Sequence, residues 1–237
     1  MTLFLLWTHS AFAQTMTFDL GDTHGGTAAA RLIELVVVMT VITLAPSILV
    51  MTTSFMRIVI VLSFLRSALG LQQTPPNQVL VSLALFLTAF IMAPTFEQAY
   101  NDGVKPLLAE EITEQQAFEK IGAPFHDFMI RHVRDKDLQL FVGMSPGLTI
   151  DKPEDTPYRV LVPAFMISEL KRAFEIGFLI FIPFVIIDML VASILMAMGM
   201  MMLPPVMISL PFKLIFFVLV DGWYMVCGSL IKSFGTV

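Results

Sequence analysis

Arg57, Arg66, Glu169, Asp188, Lys213 and Asp221 are ionisable side chains set in, or at the edges of, long apolar runs. An ionisable group in hydrocarbon pairs with another group, meets water, or marks a path for ions. Asp188 and Asp221 are the kind of carboxylate that a secondary transporter for an ion or small solute holds near mid-membrane. Lys213, in LPFKL, has two readings: its ammonium snorkels from a helix end to the interface, or it is buried against protein in an oligomer. Between Arg57 and Arg66 lies IVIVLSFL, too short to cross a membrane. That stretch continues a helix along or within protein. At about 100° per residue the two arginines fall on opposite faces, so at least one needs a protein or water partner.

Other chemistry is sparse. The chain has no GxxxxGK[ST] loop, no HExxH and no GxSxG. His126 and His132 share no helix face and read as exposed or structural, so no metal or other cofactor is expected. Cys227 is the only cysteine, which excludes an intrachain disulfide, and its apolar setting suits an inert thiol. No acid–base–nucleophile grouping stands out. A surface or a passage is expected, not an enzyme.

One further cluster is chemically distinct. MAMGMMMLPP places Met196, Met198, Met200, Met201 and Met202 within seven residues, then Pro204-Pro205. Leu and Ile specify a core better than Met, so simple core packing does not call for this concentration. Filling an irregular helix-turn core is nevertheless one reading of it.

The elements that position these residues follow from hydropathy. Of 237 residues, 57% are hydrophobic and 14% charged, well outside soluble averages. The runs 35–56, 67–96 and 189–212 are uncharged, and about 20 apolar residues suffice to cross a bilayer. We expect an all-α, membrane-associated fold of about four long, kinked hydrophobic helices arranged as hairpins. The spans lie near 32–53, 77–96, 173–198 and 206–231. Pro75-Pro76 opens the second and Pro204-Pro205 the fourth, as proline suits a first helical turn.

Charge gathers in the middle: Glu97 to Arg159 carries 12 of the 19 acids and 7 of the 14 Lys and Arg residues. Its net charge of −5 equals that of the whole chain, which leaves no basic face for nucleic acid. Within it, Pro106–Ile121 and Pro124–Asp137 read as helical. The expected divisions are 1–13, a signal peptide ending at Ala11-Phe12-Ala13; 14–31, a flexible mature N-terminus; 32–96, a first hairpin; 97–165, an acidic polar segment; and 166–237, a second hairpin with the methionine-rich loop. An exported N-terminus puts 97–165 outside and Arg57 and Arg66 inside, as the positive-inside rule asks, although Lys171 and Arg172 disagree with it.

The fourth span is marginal alone. Its 14 Leu, Ile, Phe and Val residues each favour insertion by about 0.3–0.6 kcal/mol, while Lys213 and Asp221 each oppose it by about 2.5–3.5 kcal/mol. Protein must cover much of it.

TSFMRIVIVLSFLRSALGLQQTPPNQVL (53–80) and SELKRAFEIGFLIFIPFVIIDMLVASILMAMGMMMLPPVMISLPFKLIFFVLVDGW (168–223) strongly resemble the FliP family of flagellar type III secretion export-gate proteins, related to the SctR-type proteins of injectisomes. The resemblance runs from about residue 32 to the end. It implies a homo-oligomer, pentameric in the family, assembled with FliQ-type and FliR-type subunits and other export-apparatus membrane proteins. Such an assembly surrounds a closed channel for unfolded flagellar proteins, in the bacterial inner membrane and on its periplasmic face at the flagellar basal body. It further implies that Met198, Gly199, Met200, Met201 and Met202 act as a channel gasket, and that Glu169 and Lys213 form an ion pair between neighbouring subunits. A pore-less assembly scaffold is a third reading.

Overall fold

In the computed structural model, residues 28–146, 150, 152–200 and 203–235 are described, and every regular element among them is helical. Contacts divide the chain into two units, 1–44 and 45–237. The helix α1 (Ala28–Thr52) begins in the first and ends in the second. Its first-unit part exposes Leu32, Val36, Met39 and Val41 on all sides. From Leu35 to Leu44 the helix is uncharged, and such an apolar surface suits lipid or a surrounding protein. The expected cleavage site and residues 14–27 lie outside the described residues.

In the second unit, α2 (Phe55–Ala68) is the centre of packing. Arg57, Ile58, Val61, Leu62, Leu65 and Ala68 recur at helical spacing and are buried. They face α7 (Tyr158–Ala197), a 40-residue helix. The two come close where Gly177 meets Phe64: a Cβ on that glycine would stand 2.5 Å from the ring. After a turn over 70–76, α3 (Asn77–Ala99) starts behind Pro76. It continues through a π-helical turn, Tyr100–Val104, into α4 (Lys105–Leu108). Leu80, Ala84, Ile91 and Met92 join Phe128, Met129, Leu161 and Phe165 in the main core.

The polar segment differs in detail from its sequence reading. α5 (Glu114–His132) begins at a capping box, with Thr113 Oγ1 accepting from Gln116 N and Gln116 Oε1 accepting from Thr113 N. Two orphan N–H groups are thereby satisfied, which fixes the start at 114 instead of at Pro106. Pro124 is buried inside α5 and does not begin a second helix. α6 (Asp135–Gly143) follows as a separate short helix. α7 starts at Tyr158, well before the expected 173, because Pro163 and the charged SELKR dilute hydropathy without stopping the helix.

The last span is two helices, α8 (Pro205–Leu219) and α9 (Gly222–Lys232), bent by 62°. Asp221 sits at the break with φ +51°, and Gly222 lies under the Phe217 ring, where a Cβ would collide. Among the described residues, α3 with its extension to Leu108 and α7 are each long and apolar enough to cross a membrane. Counting bent helix pairs as single spans raises the number to four.

Candidate functional site: buried ion pairs behind a methionine turn

Arg57 is in the first turn of α2 and Glu169 on the inner face of α7, and both are fully buried. Arg57 Nε donates to Glu169 Oε2 at 2.8 Å, and Nη2 donates to Oε1. Nη1 donates to the Ser233 carbonyl at 3.2 Å and lies 2.9 Å from its hydroxyl, while the guanidinium stacks 3.7 Å from the Phe234 ring centre. A planar, five-donor group suits this simultaneous grip. The fork ties α2 to α7 and also holds the C-terminal end of the chain.

His132, at the end of α5, closes the same node. Its Nδ1 lies 2.7 Å from the Phe128 carbonyl and Nε2 3.4 Å from that of Phe234. Burial pushes its pKa below the ordinary histidine value; the two carbonyls and Glu169 work in the opposite direction, and Arg57 adds to the lowering. One residue before Glu169, Ser168 Oγ lies 2.6 Å from Asp137 Oδ2 and accepts from Arg134 N. Burial alone would raise the Asp137 pKa, but hydrogen bonds from Ser168 and Arg134 hold it below the usual range. Two consecutive residues of α7 thus anchor α2 and α6.

A second node joins α7, α8 and the end of α2. Ser209 and Lys213 are four residues apart on one face of α8, and both reach Asp188 on α7. Ser209 Oγ donates to Oδ1 at 2.5 Å and Lys213 Nζ to Oδ2 at 2.6 Å. Lys213 Nζ also donates to the Ala68 carbonyl at 3.2 Å, at the C-terminus of α2. That helix end carries partial negative charge and orphan carbonyls, so an ammonium there is favourable. Lys213 is 4% exposed and the Asp188 side chain 30%.

The residues singled out from sequence therefore sort as follows. Arg57 and Arg66 do fall on different faces of α2: Arg57 is buried, whereas Arg66 donates to Asn77 Oδ1 and the Pro75 carbonyl across the 70–76 turn. Glu169 and Lys213 do not meet within one chain, since each has another partner. Within one chain Lys213 is accordingly not a stranded charge. Asp221 is exposed at the α8–α9 bend, between the two halves of the bent pair. His126 bonds the Thr156 carbonyl at 2.7 Å. Among the described residues no cluster of His, Cys, Asp and Glu suits a metal. Sequence reasoning passed over Ser209, Ser233 and Phe234; only the four-residue Ser209–Lys213 spacing was there to be read.

The methionine cluster lies at the tip joining α7 to α8. Met198 caps α7, Gly199 has φ +76°, and Met198 and Met200 are exposed. A positive φ is where glycine is needed. Met201 and Met202 lie outside the described residues.

Buried ion pairs thus join α2, α7 and α8, and exposed methionines stand at the tip between α7 and α8. The FliP family matches residues 38–230. The chain belongs to the FliP family. It is 59% identical over 226 residues to the flagellar biosynthetic protein FliP of Caulobacter vibrioides, covering 95% of this chain and 84% of that one. Identity to the Bacillus subtilis FliP is 57% over 205 residues, 85% and 91% of the two chains. The Aquifex aeolicus FliP is 44% identical over 236 residues, 99% and 98%. The family match contains both ion-pair nodes except Ser233 and Phe234, and the whole methionine tip.

Proposed function

We propose that this chain is a structural subunit of the flagellar type III protein export gate. With partner subunits it forms a closed channel through which unfolded flagellar proteins leave for flagellum assembly. The observation that carries this is the FliP match over 38–230, shared with relatives named flagellar biosynthetic proteins. Geometry supports it: the ion pairs fix the hairpins from inside, yet only 17% of the most apolar window of α7 is buried within the chain. Lipid or neighbouring subunits must cover the rest.

In this reading the copies form a ring, pentameric as the resemblance implies, with FliQ-type and FliR-type subunits. The assembly sits in the inner membrane and on its periplasmic face, with 97–165 exported after removal of 1–13. The methionine tip, Met198 to Met202, is the gasket. An unbranched thioether side chain reshapes cheaply, so a ring of them excludes water and ions and still deforms around a passing chain. The transporter reading finds no support: Asp188 is engaged by Lys213 and Ser209.

Co-expression with FliQ-type and FliR-type subunits, followed by mass measurement of the detergent-extracted complex, tests the proposal. A stable multi-subunit assembly without solute flux is expected. A 26.4 kDa chain alone that carries ion flux after reconstitution would contradict it.

A further inference from the structure

A groove of about 880 Å³ opens between the end of α1, α5 and the start of α7, within the second unit. Its volume is in the range of sites that hold a specific ligand, about 300–1,000 Å³. Ile48, Leu49, Phe118, Ile121, Phe125 and Val162 make it apolar. Phe118, Ile121 and Phe125 recur at i, i+3 and i+7, a stripe distinct from the buried α5 face of Ala117, Pro124 and Phe128. α5 is thus apolar on two faces: the first is buried in the core, and the second is half-buried at Ile121 and Phe125 and open at Phe118. Phe118 is 80% exposed at the mouth.

The groove is built, not incidental. Gly122 lets the Tyr158 hydroxyl sit against the α5 backbone, 2.7 Å from where a Cβ would stand. The His126 ring meets Tyr158 edge-on at 5.1 Å, and its Nε2 is held by the Thr156 carbonyl. Around this wall stand Glu119, Asp127 and Glu154, and among the described residues no Lys or Arg lines the groove.

We infer that this groove docks an amphipathic helix of a partner protein, with bulky apolar anchors on its floor and Lys or Arg on its acidic rim. Charge selects this occupant. A phospholipid would bring its phosphate against three carboxylates. The chain's own first 27 residues carry Asp19 and Asp22 and no Lys or Arg, so they are repelled as well. A helix in an apolar groove gains affinity from side chains at i, i+3 and i+7, the spacing the groove itself presents. The inference does not rest on the gate reading, since it follows from the shape and charge of the groove.

The probe is a fluorescent 18-residue Leu/Lys amphipathic peptide, with a Leu/Glu counterpart, titrated against the full chain in phosphatidylcholine nanodiscs after subtraction of empty discs. The Leu/Lys peptide should bind wild type at least tenfold tighter than the Glu119→Lys, Asp127→Lys, Glu154→Lys triple variant, which should instead prefer the Leu/Glu peptide. Phe118→Ser, at an exposed position that leaves folding intact, should weaken Leu/Lys binding at least fivefold. Equal binding across the variants would overturn the inference. So would a Phe118→Cys cross-link between copies that blocks the peptide, or co-purified phospholipid that fills the groove and excludes it.

Discussion

The Lys213 ammonium lies 2.6 Å from Asp188 Oδ2 within one chain, with the Ala68 carbonyl as its second partner. An intrachain pair accounts for a lysine in an apolar helix and joins α7, α8 and α2 at one point. Asp188→Leu should strand a buried ammonium and lower stability by about 3 kcal/mol, the low end for a broken buried pair because Asp188 is partly solvated. Adding Lys213→Met should recover most of that loss, since an apolar pair of similar volume replaces a charged one. Thermal unfolding of the detergent-solubilised variants reads both; a double variant no more stable than Asp188→Leu contradicts the pairing.

Glu169 faces Arg57 of its own chain through two hydrogen bonds. Glu169→Lys should therefore cost about 3–5 kcal/mol, and Arg57→Glu in the same chain should restore part of it. The competing arrangement pairs Glu169 with Lys213 of a neighbouring copy, and there Lys213→Glu is the rescuing change. Size-exclusion profiles of the two double variants separate these outcomes.

His132 ties stability to pH. Its folded pKa lies below the unfolded value of about 6.5, so the unfolded chain takes up the proton first. The contribution to stability is complete above about pH 6.5 and is lost as pH falls below it. Of the groups that face the ring, Arg57 adds to the lowering and Glu169 opposes it. The thermal midpoint should drop between pH 7.5 and 5.5 in wild type and drop less in His132→Gln. Equal slopes would show that His132 does not set the dependence.

Two glycines permit close approaches. Gly177→Ala would drive its Cβ into Phe64, and Gly222→Ala would drive it into Phe217. Each should cost about 1–3 kcal/mol through overpacking. Pairing Gly177→Ala with Phe64→Leu should relieve the first, which chemical or thermal unfolding will show; a Gly177→Ala chain as stable as wild type means that α2 and α7 do not meet there.

Much of the fold was legible because uncharged runs and Pro-Pro pairs mark helices and their starts: α3 begins behind Pro76 and α8 at Pro205. The opposite faces of Arg57 and Arg66 followed from helical geometry alone. The start of α7 was hidden, since Lys171, Arg172 and Glu175 break the hydropathy while remaining on a continuous helix, with Lys171 and Glu175 3.5 Å apart on its surface. The capping box at Thr113 and Gln116 was in the sequence but lost beside the nearby Pro106. Partner choice could not be read at all. Arg57 and Glu169 are 112 positions apart, and a charge in an apolar run reveals that a partner exists without revealing which. The bend at Asp221 was equally silent, because hydropathy does not register a left-handed residue.

The methionine tip bears most directly on the central claim. Met200, Met201 and Met202 should all be replaced with Gly in the full gate complex, and ion conductance measured across membranes containing it, with assembly confirmed by mass. Glycine leaves volume unfilled at a constriction, so the account predicts an intact complex that leaks small ions where wild type does not. An assembled complex that is as tight as wild type would contradict the gasket.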